Sequence, residues 1–391
     1  MDDIVILSGA RSAIGTFGGS LSGLPLSAVA TEVVKAALAR AGVAPAQIGT
    51  VVFGHVINTE PRDAYLSRVA AIGAGIPDTT PAMNVNRLCG SGAQAIVSAA
   101  QALALGDADF ALAAGAEAMS RAPYILPAAR WGQKMGDLGA QDMMLGALTC
   151  PFGTGHMGVT AENVAAEHGV SRAAQDAFAM ESQVRAARAI AEGRFASQIV
   201  PIMVKTKKGE VAFEVDEHPK ATSLEALAGL KPAFRKDGSV TAGNASGIND
   251  GAAAVVLARA DAAARAGLKP RARLVGYAVA GVRPEVMGIG PVPAVQALCK
   301  RTGLSIADFD VIESNEAFAA QALAVNAALG LDAAKVNPNG GAIALGHPVG
   351  ATGAIVTIKA LHELERTGGR YGLITMCIGG GQGIALAIER L

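Results

Sequence analysis

Aromatic residues are scarce in this sequence, at 4% of 391 residues, although 51% of the chain is hydrophobic. The core is therefore built from Ala, Val, Leu and the 48 glycines, small residues that let helices approach sheets closely. Charge of one sign is missing too. Lys plus Arg balance Asp plus Glu at 33 each, and charged residues make up only 17%. A nucleic-acid binder needs a basic patch or stripe, so that class is disfavoured. A chain this apolar is not disordered. A surface with no net charge is poorly protected from association, so an oligomer is expected. The start, Met1-Asp-Asp3 before Ile4 to Leu7, lacks the basic opening and long apolar run of a signal peptide. No window approaches the ~20 apolar residues of a membrane span. The last residues, Glu389-Arg-Leu391, match no retention or peroxisomal address. The expectation is a soluble cytoplasmic protein with no membrane partner. Four cysteines stand at 89, 150, 299 and 377, far apart and without a CxxC pair, so no metal site is expected. In a reducing compartment each is either a small core residue or a reactive thiol.

Strand-like and helix-like runs alternate: Ile4 to Ser8, Leu26 to Arg40 closed by Gly42, Val51 to Phe53, Ala93 to Leu105 closed by Gly106, and Phe110 to Ala114. Such alternation predicts an α/β fold. The Ala93 to Leu105 run is apolar nearly all round, which predicts a buried helix. The chain also repeats itself. Arg40 to Ile48 reads against Arg301 to Phe309 at an offset of 261, and Ala95-Ile-Val-Ser98 against Ala354-Ile-Val-Thr357 at 259. The reading is two homologous halves, residues 1–118 plus 250–270 and residues 271–391. Between them, residues 119–249 form an inserted loop domain with the only tryptophan (Trp131), a charged run at Lys205 to Lys208 and a long helical run, Ser171 to Glu192. Long insertions often carry binding.

Four segments set Gly and polar residues beside apolar runs: Asn86-Arg-Leu-Cys-Gly-Ser-Gly92, Ser314-Asn-Glu-Ala-Phe318, Gly340 to Gly353, and Cys377-Ile-Gly-Gly-Gly-Gln-Gly383. Cys89 precedes a helix start, where free N–H groups and the helix dipole favour thiolate over thiol. Its other reading is a core cysteine. Gly90-x-Gly92-x-x-Ala95 also fits a dinucleotide fingerprint, which keeps an NAD(P)-dependent oxidoreductase as a remote rival. His347, between Gly and Pro, is a loop acid/base or a merely solvated histidine. The glycines after Cys377 form an anion-binding nest or a simple turn. If the halves pack with pseudo-symmetry, these loops converge into the equipment for acyl transfer with proton abstraction beside a carbonyl.

Together and in order, these four segments resemble the signatures of the thiolase family, and the resemblance runs nearly the whole length. It implies a layered α-β-α-β-α core with an inserted loop domain. It implies a reversible Claisen condensation: acetyl-CoA plus acetyl- or short acyl-CoA give 3-ketoacyl-CoA and CoA through an acyl-cysteine. Coenzyme A thioesters are then substrates, and no cofactor or metal is implied. Cys89 would take the acyl group, and His347 would activate it. Asn315 would hold a water beside the second thioester oxygen, and Cys377 would move the α-proton. The N–H groups of Cys89 and Gly379 would hold the tetrahedral oxyanion. His156, Met157, Ala245 and Ser246 match pantetheine- and acyl-binding positions, and Phe234, Met287 and Phe318 match the acyl pocket. The His156–Met157 pair is similar to the biosynthetic, short-chain branch; the alternative within the family is a degradative 3-ketoacyl-CoA thiolase of β-oxidation. Asn58 to Arg68 resembles the broader β-ketothiolases of polyhydroxyalkanoate synthesis. Glu217 to Ser223 departs from the family's usual basic pattern, so no CoA contact is assigned there. The family further implies a homotetramer.

Overall fold

A computed structural model describes residues 4–207 and 209–391; Met1 to Asp3 and Lys208 of the charged run lie outside it. In chain order, the first half supplies β1 (Ile4–Ser12), α1 (Leu26–Ala41), β2 (Thr50–Gly54), β3 (Ala82–Val85), α2 (Ser91–Leu105) and β4 (Phe110–Ala118). The inserted stretch supplies α3 (Met157–Glu167) and α4 (Arg172–Ala191), after which β5 (Asn249–Arg259) returns to the first half. Then follow β6 (Ala272–Gly281), α5 (Pro291–Thr302), β7 (Phe309–Ser314), α6 (Ala319–Leu329), α7 (Thr352–Thr367), β8 (Tyr371–Ile378) and β9 (Gln382–Arg390).

The main sheet runs β7-β8-β9-β6-β1-β5-β4-β2-β3. Apart from the edge strand β3, this order is a palindrome about the β1–β6 seam. β2-β4-β5-β1 mirrors β7-β8-β9-β6, with matching parallel and antiparallel pairings in each half. The seam is two pairs long, Val5 with Arg273 and Ile6 with Ala272. Helix α1 packs on β1 and β5, and α5 packs on β6 and β9, while α2 and α7 touch strands of both halves. The layers are thus α-β-α-β-α.

The sequence pattern accounts for these elements. α1 buries Leu26, Val29, Ala30, Val33, Val34, Ala37 and Leu38 at helical spacing, and Gly42 closes it with φ 66°. α7 in the middle layer is buried almost all round. α2 is buried along most of its length but leaves Leu105 exposed at its end. β4 runs four residues beyond the expected Phe110 to Ala114 and hides Glu117 in an otherwise small and apolar strand. Leu88–Leu105 is apolar and long enough to match a membrane span, contrary to the expectation that no window comes near. It is a core segment, because α2 lies between the two half-sheets.

Helix starts also correct the register of the repeat. Ser91 and Thr352 begin α2 and α7, and Phe110 and Tyr371 begin β4 and β8, each pair 261 residues apart. The Ala95–Ala354 match at 259 is two residues out of phase with these elements.

Two glycines bring the middle helices together. A Cβ on Gly353 would lie 2.0 Å from Ala93 N, and one on Gly92 would lie 2.8 Å from Ala354 N. Backbone therefore meets backbone where α2 and α7 begin. The loops just before those helices hold Cys89 and His347, so this crossing sets the distance between them. The inserted stretch is tied to the first half by Arg11 and Asp216, a buried bidentate pair at 2.7 and 2.9 Å. Removing one partner would strand a buried charge, at a cost of about 3–5 kcal/mol.

Candidate active site

Cys89 sits in a turn held open by strain. Leu88 before it has φ 45°, a left-handed conformation that costs a non-glycine residue about 1–3 kcal/mol. The neighbours hold that turn. Asn86 Oδ1 accepts the Leu88 N–H at 2.9 Å. Ser91 Oγ donates to the Leu88 carbonyl at 2.7 Å and accepts the Arg87 N–H at 2.8 Å. The turn presents Cys89 to a cavity of about 410 Å³ between the halves and the inserted stretch.

The expectation that the helix start makes Cys89 a thiolate is not met. Burial is the largest influence and pushes its thiol up to about 11; the backbone N–H groups of Gly379 and Cys89 pull the other way, and the Glu117 charge adds to the rise. Desolvation outweighs the helix dipole here. At Cys89 the thiol is therefore favoured over the thiolate.

His347 is buried rather than solvated, and burial brings its pKa down to about 4. Its tautomer follows from its contacts. Thr352 Oγ1 donates its one proton to the Pro348 carbonyl at 2.9 Å. His347 Nδ1, 2.6 Å from that hydroxyl oxygen, must then carry a hydrogen and donate. Nε2 is left with a lone pair, and the Asn315 amide nitrogen stands 3.5 Å from it. The His347 N–H donates to Asn249 Oδ1 at 2.9 Å. The fixed lone pair on Nε2 faces outward as a proton acceptor, while burial favours the neutral imidazole.

Asn315 follows the last residue of β7, and its N–H donates to the Thr375 carbonyl at 2.9 Å. Its side-chain oxygen is buried and has no protein partner. Cys377, near the end of β8, is fully buried. Burial first, then the neighbouring Cys89, raises its thiol well above the ordinary range. The two sulfurs, one from each half, are close enough to feel each other's charge. Gly379 lies one residue past β8 and turns its N–H to the Cys89 sulfur, while Gly380 and Gly381 take φ 81° and 89° to shape the turn.

The expected binding residues line the same cavity. His156 caps α3, its Nδ1 accepting the Gly158 N–H at 3.0 Å. Its ring stacks on Phe234 at 4.7 Å and 13°, and Phe234 meets Phe318 edge-on at 6.1 Å. Ala245 bridges to Phe318, and the Ser246 N–H donates to the Ala317 carbonyl at 3.0 Å. The inserted stretch is therefore pinned directly to the segment that carries Asn315. Met157 and Met287 pack with Cys377 and Phe318. Cys89, His347, Gly379 and all seven binding residues border the cavity; Asn315 and Cys377 do not, and Asn315 lines a separate small cavity instead. Gly92 faces the backbone of α7 rather than open space, so no pyrophosphate can approach the dinucleotide-like pattern.

Several cavity residues were not anticipated from the sequence. His218 and Lys220 line it, and His218 is pushed down to about 4 by burial and then by Lys220, with Glu217 opposing. Both lie in the Glu217 to Ser223 run, where the departure from the family pattern left no motif to follow. Leu148 and Val349 also face the cavity and carry no polar signal.

Two family descriptions cover the chain: "Thiolase, N-terminal domain" over residues 4–261 and "Thiolase, C-terminal domain" over residues 268–390. The beta-ketothiolase BktB of Cupriavidus necator is 60% identical over 391 residues, spanning 100% of this chain and 99% of that protein. The crystal structure of an acetyl-CoA acetyltransferase from Bacillus anthracis superposes with a TM-score of 0.98 at 47% identity, covering 100% and 99% of the two chains. That of human mitochondrial 3-ketoacyl-CoA thiolase superposes with a TM-score of 0.98 at 45% identity, covering 99% of each.

Proposed function

The chain belongs to the thiolase family, and from that premise we propose how its own residues divide the reaction. It is an acetyl-CoA C-acyltransferase of the acetyl-CoA acetyltransferase/β-ketothiolase type, joining two acyl-CoA molecules reversibly into a 3-ketoacyl-CoA and CoA.

In the first half-reaction Cys89 Sγ attacks the acyl-CoA carbonyl and its proton passes to His347 Nε2. The tetrahedral oxyanion rests on the N–H groups of Cys89 and Gly379. Collapse breaks the bond to the CoA sulfur, which leaves with the proton of Cys377. Cys89 now carries a thioester, His347 is an imidazolium and Cys377 is a thiolate. In the second half-reaction Cys377 takes the α-proton of acetyl-CoA. A thiol with so high a pKa makes a strong base once ionised. The enolate oxygen is held by His347 Nε2–H and by a water on Asn315. The enolate carbon attacks the Cys89 thioester, the same oxyanion site is used again, and collapse expels Cys89, which recovers its proton from His347. All protons balance without a metal or redox group, and CoA thioesters enter only as substrates.

The single observation that carries this division is the meeting of two thiols, the half-buried Cys89 of one half and the buried Cys377 of the other, beside a neutral histidine of fixed tautomer. Mass spectrometry of the intact protein after acetyl-CoA treatment tests it. One acetyl group is expected on Cys89 and none in Cys89→Ser; Cys377→Ala should still load acetyl but lose condensation. Acetylation elsewhere, or none, would overturn the assignment.

The wall of His156, Phe234 and Phe318 supports a short acyl group. Together with the identity to a β-ketothiolase and the Asn58 to Arg68 run, it supports the synthetic, polyhydroxyalkanoate-linked reading. Rates of thiolysis for acetoacetyl-CoA against 3-ketohexanoyl-CoA and longer substrates separate this from the degradative reading. Lys220 on the cavity wall suits an anionic ligand such as CoA. Tyr124, Leu126, Trp131 and Met135 form an exposed apolar stretch that supports a homotetramer, measurable by light scattering. Four unpaired cysteines suit the reducing cytoplasm.

A further inference from the structure

Glu117 is a buried carboxylate that none of these steps uses. It lies near the end of β4, fully shielded from solvent. Its Oε1 accepts the Ile57 N–H at 3.1 Å and faces His55 Nδ1 at 3.4 Å. Its Oε2 accepts the N–H groups of Val56 at 3.1 Å and Gly350 at 2.9 Å. Val56 and Ile57 belong to the first half. Gly350 belongs to the second, three residues beyond His347. One carboxylate thus grips both halves where the catalytic loops meet.

The Gly350 peptide is seated from its other side as well. A Cβ on Gly54 or Gly115 would come within 2.7 or 2.3 Å of the Gly350 carbonyl oxygen. A Cβ on Gly350 itself would lie 2.5 Å from Glu117 Oε2. The Gly350 backbone fills a slot cut to backbone width, its N–H on a carboxylate and its carbonyl against two glycines.

A buried carboxylate needs compensation. His55, with Nδ1 3.1 Å from the Ala116 carbonyl and 3.4 Å from Glu117, supplies that compensation when protonated. Burial opposes a charge on it, but the hydrogen bond and charge of Glu117, the Ala116 carbonyl and Asp63 leave its pKa raised. Burial pushes Cys89 and Asp250 toward their protonated forms, and the Glu117 charge adds to both.

We propose that Glu117, charge-compensated by His55, is the positioning residue that seats the His347 loop over Cys89. The inference rests on the reading of His347 as the base for Cys89. It gives Glu117 two effects of opposite sign. Its hydrogen bonds place the base and speed acylation. Its charge adds to the burial that keeps Cys89 a thiol and slows reaction with anything that does not use His347.

Glu117→Gln separates the two. Acetyl loading of Cys89 from acetyl-CoA should fall about tenfold or more, while alkylation of Cys89 by iodoacetamide at pH 8 should rise about threefold, because a neighbouring negative charge is gone. A residue that only holds the fold together would slow both or neither. Loading within about twofold of wild type, or equal loss of both rates, overturns the proposal. If Glu117→Gln does not fold, His55→Gln serves instead. It keeps the carboxylate and removes the imidazole beside it, so alkylation at pH 6, below the raised pKa of His55, should fall about threefold; unchanged alkylation overturns the pairing. Wild-type protein that takes no acetyl group on Cys89 would overturn the reading of the site itself, a different result from a wild type that loads and a variant that loads equally well.

Discussion

At corresponding points the two halves carry different chemistry. Two residues before α2 stands Cys89; two before α7 stands Gly350. Near the end of β4 stand Ala116 and Glu117; at the corresponding places of β8 stand Cys377 and Ile378. One residue past β2 stands His55, and one past β7 stands Asn315. The scaffold is symmetric, and the site built on it is not. Pseudo-symmetry brings corresponding loops to one place, and divergence at a few positions gives each loop a separate task. In the proposed reaction the first half contributes the acyl-carrying thiol and the buried anion, and the second contributes the base, the second thiol and the amide.

This comparison can be broken at the thiols first. Cys89→Ala should lower thiolysis of acetoacetyl-CoA about 10⁴-fold or more. Cys377→Ala should lower condensation by about 10²- to 10⁴-fold, the range of general acid–base catalysis, yet still let Cys89 load acetyl, more slowly because the departing CoA sulfur loses its proton donor. Equal defects in loading would mean the two thiols are not divided by half.

The ionisation of Cys89 can be read directly. With a thiol near 11, its alkylation by iodoacetamide should climb by roughly tenfold per pH unit from pH 7 to 9. A plateau near pH 6 would indicate a preformed thiolate–imidazolium pair instead. Thr352→Val removes the oxygen that fixes the His347 tautomer and should lower kcat/KM about tenfold, with a smaller effect on KM. An unchanged kcat would remove Thr352 from the argument.

The helix crossing sharpens the comparison at the level of stability. Gly353→Ala should lower Tm more than Gly92→Ala, since its Cβ meets backbone at 2.0 Å rather than 2.8 Å; overpacking of this kind costs about 1–3 kcal/mol. Acid provides the smallest test. His218, His347 and His362 are held near 4 in the folded chain, against 6.5 when unfolded. Between those values the unfolded chain binds protons that the fold refuses. Stability present above pH 6.5 should fall as pH drops toward 4, visible as a lower Tm at pH 5 than at pH 7.

Much of this was legible in the residues. Alternating apolar runs closed by Gly42 and Gly106 marked helices and strands, because a capping glycine and a buried face leave local traces. The repeat marked two halves, and the four polar glycine-rich segments marked their loops. Other features left no such trace. Glu117 hides in an apolar strand, and its partners come from residues 55–57 and 350. His218 and Lys220 border the cavity from a run with no motif. The strained Leu88 is not a glycine, so nothing in the string marks its turn.

What the sequence by itself determined was the set of reactive groups, their order and the duplicated scaffold that carries them. Only the tertiary structure decided their state. A helix start alone argued for a thiolate at Cys89, yet desolvation between the halves and the inserted stretch favours the thiol there and the neutral imidazole at His347. Local geometry can be read from neighbours in sequence. The electrostatic cost of burial depends on atoms hundreds of residues away, and folding alone brings them together.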